Sequence, residues 1–244
     1  MPAQLVGMRS ETATARTLDF EVLGWVGHRP GQHVDVRLTA EDGYSAQRSY
    51  SISEPVDHDL VSITVQQVSD GEVSPYLVEE MQLGDMLEVR GPIGGWFVWS
   101  PSPEAPVEQP ILLVAGGSGV VPLMAMVRER ARLRSTAPFR LVYSVRDPDQ
   151  VMYADELDRR ASEEGLLVEI LYTREAPVGP HRPPGRITGA DLVTSASAGW
   201  PAGVRPRVYV CGPTGFVEHA IGLLLALDHP GRTIRAERFG PTGA

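Results

Sequence analysis

The sequence predicts a β plus α/β chain: an antiparallel Greek-key β-barrel over 1–103, then a doubly wound parallel α/β unit over 108–244. Three observations carry this. Segments of the first half alternate apolar and polar residues with a period of two, as strands with one wet face do. A proline-rich, apolar-poor stretch, Ser100-Pro101-Ser102-Pro103-Glu104-Ala105-Pro106, then reads as a linker. Beyond it, Ile111–Ala115 is an unbroken apolar run followed by helical spacing, the mark of a parallel strand covered on both faces.

In order, Thr17–Leu23, His33–Leu38 and Leu60–Val65 alternate as strands, punctuated by Arg29-Pro30-Gly31 and Asp42-Gly43. One short helix is expected over Ser74–Met81, with Ser74 as its cap. Gly91-Pro92-Ile93-Gly94-Gly95-Trp96-Phe97 reads as a turn. In the second half, helices are expected over Pro122–Arg134, Tyr153–Glu164 and Phe216–Leu227. They alternate with strands Phe139–Val145, Leu166–Thr173, Arg207–Cys211 and Thr233–Phe239, which is the order of a doubly wound fold.

Composition narrows the function. A formal net charge of -9 argues against nucleic acid, which wants clustered cations. The chain has no lysine, so any phosphate clamp must use arginine or backbone N–H groups. A single cysteine, Cys211, excludes an internal disulfide, a structural zinc cluster and a Cys-ligated iron–sulfur centre within the chain. The six histidines show no metal-ligand spacing, so no metal is expected. No stretch reaches the roughly 20 apolar residues a membrane helix needs, nor is there a signal-peptide core. A cytoplasmic protein without membrane contact is the expectation.

Two motifs carry chemistry. Arg48-Ser49-Tyr50-Ser51 offers a cation for phosphate, a ring for a flat heterocycle and hydroxyls for a ring nitrogen, all from one extended stretch. Gly116-Gly117-Ser118-Gly119-Val120-Val121-Pro122 joins an apolar strand to a helix, the construction that brings backbone N–H groups against a nucleotide. The acidic ribose contact expected about 20 residues beyond such a turn is missing near Ala137, unlike an ordinary Rossmann dehydrogenase. Two nucleotide sites in this order suggest electron transfer between two cofactors. Gly71-Glu72-Val73-Ser74 opens the short helix, and Cys211-Gly212-Pro213-Thr214 ends a strand where α/β sheets place ligands.

Together with Gly91-Pro92-Ile93-Gly94 and the tail Glu237-Arg238-Phe239, these motifs resemble the ferredoxin–NADP reductase superfamily, in the form without its own iron–sulfur domain. The resemblance covers nearly the whole chain and implies an FAD-binding barrel followed by an NAD(P)-binding α/β domain. It implies that Arg48 holds the FAD phosphate, Tyr50 packs on the isoalloxazine and Ser51 hydrogen-bonds near flavin N5, with Ser49 beside them. Gly71, Val73 and Ser74 would cradle the pyrophosphate near Val65 and Gln66, the latter standing where the family usually has a cation. Gly117, Ser118 and Gly119 would approach the nicotinamide nucleotide, with Cys211, Gly212 and Pro213 by its ring. Glu237 would assist proton transfer with Ser51, making Ser51, Cys211 and Glu237 the catalytic set. Phe239 matches the aromatic of the family's tail, although here the chain runs on through Gly240–Ala244.

The resemblance therefore implies a flavoprotein oxidoreductase passing electrons from NADPH or NADH through FAD, rather than FMN, to a separate acceptor such as a ferredoxin, a flavodoxin or an oxygenase component. Thr173-Arg174 resembles the Ser-Arg pair that holds a 2′-phosphate, with Arg182 and Arg186 shortly downstream, which favours NADPH. Arg90, Arg128 and Arg132 are expected to offer a basic patch to an acidic acceptor. The alternatives are an NADH-dependent flavin reductase and a non-catalytic, flavin-holding subunit of a larger complex.

Overall fold

The computed structural model describes residues 1–240 except 41, 102–108, 164, 180–181 and 194–204. Most of the proline-rich linker and the tail beyond 240 thus lie outside the described residues. In the first half, β1 (Pro2–Thr12), β2 (Ala15–Glu21), β3 (His33–Thr39), β4 (Ser45–Ser51), β5 (Leu60–Gln66) and β6 (Met86–Ile93) form one antiparallel sheet in the order β4-β3-β6-β1-β2-β5. An antiparallel bridge from Ile52 to Ile63 brings the two edge strands together, so the sheet closes into a barrel. Its core is the inward half of each alternating strand: Leu5, Leu18, Phe20, Val34, Val36, Val61, Ile63 and Val65. The short helix Tyr76–Glu80 plugs this core with Leu77 and Val78.

The second half is a parallel sheet of β7 (Ile111–Gly116), β8 (Phe139–Val145), β9 (Leu166–Tyr172), β10 (Arg207–Pro213) and β11 (Ile234–Phe239), ordered β11-β10-β7-β8-β9. Helices α1 (Val120–Arg132) and α2 (Ala154–Arg160) belong to one face, and α3 (Gly189–Leu192) and α4 (Thr214–Ala226) to the other. The apolar run Ile111–Ala115 is wholly buried because both faces of its strand are covered.

The barrel docks on the α1 face. Phe97 and Trp99, just past β6, join the core formed by α1, Tyr209 and Phe139, and Phe97 meets the Tyr209 ring edge-on with centroids 5.4 Å apart. The backbone oxygen of Val98 accepts from Tyr209 Oη at 3.0 Å and from the Arg235 guanidinium at 2.7 Å. Helix α1 is therefore buried all round through Val120–Val127: sheet lies on one side and barrel on the other.

The structure departs from the sequence reading in three places. Ser74 does not cap its helix; its hydroxyl accepts the Val68 N–H at 3.0 Å and closes the preceding loop. Gly91 and Pro92 are the end of β6 rather than a turn, which begins only after Ile93. The helix expected over Tyr153–Glu164 forms only over Ala154–Arg160. Tyr153 sits outside it at φ +60°, held in the left-handed region by partners in the barrel: its hydroxyl donates to Thr64 on β5, and its N–H to the Glu11 carboxylate.

Where the halves meet, Gly31 has φ +97°, and a Cβ there would fall 1.9 Å from the Phe97 carbonyl oxygen and 2.9 Å from the Met126 side chain. Gly31→Ala combines a disfavoured φ with overpacking and should cost about 2–4 kcal/mol of unfolding free energy. Urea titration of the two proteins checks this.

Candidate functional site

The parallel sheet reverses its winding between β7 and β10, and ligands of such sheets bind in the crevice outside that point. Two of the predicted motifs meet there. Gly117–Gly119 forms a single 3-10 turn leading into α1, and Gly119 lies flat on the end of β10. A Cβ on Gly119 would stand 2.1 Å from the Cys211 carbonyl oxygen, so packing alone demands glycine there. Gly117 is different. It has φ +53° and nothing within 4 Å of where a Cβ would be, leaving its surroundings open to a ligand at a helix N-terminus that carries no acid in its first turn. Ser118 is half-buried beside it, and Gly212 and exposed Pro213 complete the opposite lip.

Cys211 pairs in register with Glu237 on β11, two positions past Tyr209 and Arg235, which touch the barrel from the same face. Burial, then the neighbouring Glu237 charge, pushes the Cys211 thiol well above its usual range. It is a neutral, apolar wall and no nucleophile. Burial also lifts the Glu237 carboxyl to about 7, so it can hold or release a proton near neutrality. Phe239 follows at the rim, paired with Pro213 and partly exposed.

On the barrel side, β4 aligns Tyr50 with Val34 and Arg48 with Val36, whereas Ser49 and Ser51 align with Asp35 and His33 on the other face. The tetrad therefore splits its chemistry between two faces. Arg48 donates to Glu72 at 2.9 Å, and the same carboxylate accepts from the Tyr44 hydroxyl at 2.7 Å. Arg48 and Glu72 are each about half exposed, so solvent screens the pair and it is weak. A phosphate can displace it. Burial pushes the Tyr50 phenol to about 12, keeping it neutral. The Ser49 hydroxyl donates to Asp35 at 2.6 Å, while no hydrogen bond of the Ser51 hydroxyl is seen among the described residues.

Gly71 N–H and Ser74 Oγ both bond to Val68, shaping the loop before the short helix. Val73 and Val65 are core residues, so only their backbone can serve a ligand, and Gln66 ends β5 half-buried. The residues suit a dinucleotide flavin: one displaceable arginine, one neutral ring and one free hydroxyl lie along a single strand.

Thr173 and Arg174 follow β9, tied by their N–H groups to Val145 and Arg146 at the carboxyl end of the sheet. Gly185 N–H donates to Tyr172, which brings Arg186 to the same rim; Arg174 and Arg186 are both exposed. Arg182 does not join them. Its guanidinium pairs with Asp191 at 3.0 Å and donates to the carbonyls of Gly185 and Arg186, so it shapes the loop.

Two of the three arginines of the expected basic patch are not available to it: Arg128 is buried in the seam between the halves, and Arg132 pairs with Glu129 at 2.6 Å, while Arg90 is exposed. Sequence reasoning also missed Glu72, Tyr44, Glu54 and Tyr153. Only Glu72, inside a motif already singled out, carried a signal.

The protein's two halves match two domain models: an oxidoreductase FAD-binding domain over residues 5–98 and an oxidoreductase NAD-binding domain over 113–221. Among curated relatives, one component of the 1,2-phenylacetyl-CoA epoxidase of Escherichia coli K12 is 29% identical over 97% of this chain and 67% of its own length. The ferredoxin reductase component of the 3-ketosteroid-9-alpha-monooxygenase of Mycobacterium tuberculosis is 28% identical over 97% and 64%. The chain thus spans about two thirds of the length of these relatives. Among solved structures, the flavohem-like FAD/NAD binding domain of nitric oxide dioxygenase from Vibrio cholerae superposes with TM-score 0.83 at 23% identity, covering 98% of each chain. A ferredoxin NADP+ reductase from Neisseria gonorrhoeae with bound FAD and NADP gives TM-score 0.77 at 19% identity, covering 98% of each. Among the described residues no helix is long and apolar enough to cross a membrane.

Glu237 also makes a stability prediction. Its folded-state pKa is raised to about 7, so its contribution is full below the unfolded value and is lost as pH rises through 7. Glu237→Gln should flatten the Tm-versus-pH curve between about pH 5 and 7.5 relative to the parent, as measured by thermal unfolding across that window.

Proposed function

Because the chain belongs to the ferredoxin–NADP reductase superfamily, we propose that it takes a hydride from NADPH and delivers electrons to a separate acceptor protein, such as a ferredoxin or an oxygenase component. One observation supports the reading: the Gly117–Gly119 turn packs against barrel strand β5, which in turn meets β4, the strand of Arg48–Ser51, as a shared seam for two cofactors requires. A bound flavin supplies the redox chemistry, since it accepts electrons as a pair and releases them singly. The protein supplies positions and protons. Arg48 grips the phosphates of FAD, and Tyr50 offers a neutral ring to its flat heterocycle. The N–H groups at Gly117–Gly119 and the start of α1 receive the nucleotide, with Cys211 as a dry wall beside it. The free Ser51 hydroxyl and Glu237, poised near neutrality, hold and move the proton.

Exposed Arg174 and Arg186 at one rim favour a 2′-phosphate, hence NADPH over NADH. Relatives named as reductase components of oxygenase systems support a protein acceptor.

Purified protein should carry, or take up, flavin with its yellow absorbance, and NADPH should bleach it anaerobically; a chain that binds neither FAD nor FMN refutes the reading. Arg48→Ala should weaken FAD binding about 10- to 100-fold, the value of one charge-assisted hydrogen bond, in a fluorescence-quenching titration. Arg174→Ala should raise KM for NADPH about tenfold or more while leaving KM for NADH within about twofold, and equal effects would remove the NADPH assignment.

A further inference from the structure

Within the seam, one side chain touches segments belonging to both cofactor sites. Arg128 lies in the third turn of α1, the helix that starts at the nucleotide turn, and is 6% exposed. Its Nη1 donates to the Ser53 carbonyl oxygen at 2.7 Å and stands 3.1 Å from the Glu54 carboxylate. Its Nε and Nη2 form a fork on Glu156 of α2, and the guanidinium covers the Tyr153 ring at 4.6 Å from the centroid. Ser53 and Glu54 directly continue the strand that carries Tyr50 and Ser51. Ser53 is itself pinned to β5, its N–H donating to Ser62 at 2.8 Å.

We infer that Arg128 is a positioning residue for hydride transfer: a single planar fork that sets the distance between the flavin-bearing strand and the nucleotide-bearing helix. The inference rests on the reductase reading above. Hydride transfer needs reacting atoms about 3–3.5 Å apart, and an error of about 1 Å costs on the order of 10²-fold in rate. Any slippage at Ser53 passes along a continuous backbone to Ser51 and Tyr50. Lysine cannot substitute, because a point ammonium cannot meet Ser53, Glu54 and both oxygens of Glu156 in fixed directions. The other seam contacts are apolar packing such as Met126 on Gly31, the bonds of Tyr153 to Thr64 and Glu11, and those of Tyr209 and Arg235 to Val98, and none of these is made to Ser53 or Glu54.

The test is anaerobic stopped-flow reduction of the flavin-loaded full chain at saturating NADPH, comparing the parent with Arg128→Lys, Arg128→Met and Glu54→Gln. Dissociation constants for FAD and NADP⁺, and the long-wavelength charge-transfer absorbance of the complex, are measured alongside. The expected result is a limiting reduction rate constant lower by about 10- to 100-fold in both Arg128 variants, with a weakened charge-transfer band and both dissociation constants within about threefold of the parent. Glu54→Gln should lower the rate constant by a smaller factor. Its side chain sits at the partly exposed edge of the seam, so it decides the matter if the Arg128 variants fail to fold. Limiting rate constants within about twofold of the parent, or losses that only track lost flavin, overturn the inference. A parent chain that NADPH does not bleach overturns the reductase reading instead, so the two failures are told apart.

Discussion

A guanidinium removed from water must find acceptors for all its N–H groups, and those of Arg128 come from barrel and α/β unit at once. The network extends on both sides. Arg9 on β1 reaches Glu54, Glu11 and Asp19, while Arg160 on α2 braces Glu156 at 2.7 Å. Glu11 accepts from Thr17, Thr17 meets Thr64, and Thr64 accepts from Tyr153. Removing one member of such a buried pair costs about 3–5 kcal/mol, because the remaining charge loses its partner. Apolar contacts hold the halves together, but a greasy seam can slide. The directional network sets where they stop, and this gives each cofactor site a defined position relative to the other.

Against that directional seam, the groups proposed to face the cofactors are loosely held. The Arg48–Glu72 pair is exposed and weak, the Ser51 hydroxyl has no hydrogen bond among the described residues, and Arg174 and Arg186 are exposed. Residues awaiting an anionic ligand are stabilised on binding only if their existing partners are easily given up. Glu72 illustrates the arrangement. It holds Arg48 and Tyr44 near each other, and on the proposed reading its carboxylate would turn aside for a phosphate at the arginine. The switch point is built the opposite way. Gly119 and Cys211 are in backbone contact, so the crevice there has a fixed floor and only Gly117 and its neighbours face a ligand.

Much of the architecture was legible because local patterns and tertiary roles agree. Alternation in His33–Leu38 and Leu60–Val65 predicts strands, and the strands point their apolar residues into one barrel. The run Ile111–Ala115 predicts a doubly covered strand and is one. Of the site, the motifs at 48–51, 116–119, 173–174 and 211–213 fall on the strands and turns expected of them, since glycine turns and strand ends depend on neighbours in sequence. Tyr153 was misread because its contacts in the barrel override its helical spacing. Arg128 and Arg182 were misread because an arginine at helical or loop spacing looks the same whether it faces water or a buried acid.

By itself, the order of residues determined two folding units, the turns able to approach nucleotides, and a phosphate chemistry limited to arginine and backbone. Those properties depend on backbone freedom, period and side-chain type, all local. Tertiary structure alone decided that Glu72 holds Arg48, that Glu237 adds to the upward shift of the buried Cys211 thiol across a strand pair, and that Arg128 spans the seam. Each is a contact between residues distant in sequence. Its strength depends on distance and burial, which exist only once the chain has closed on itself.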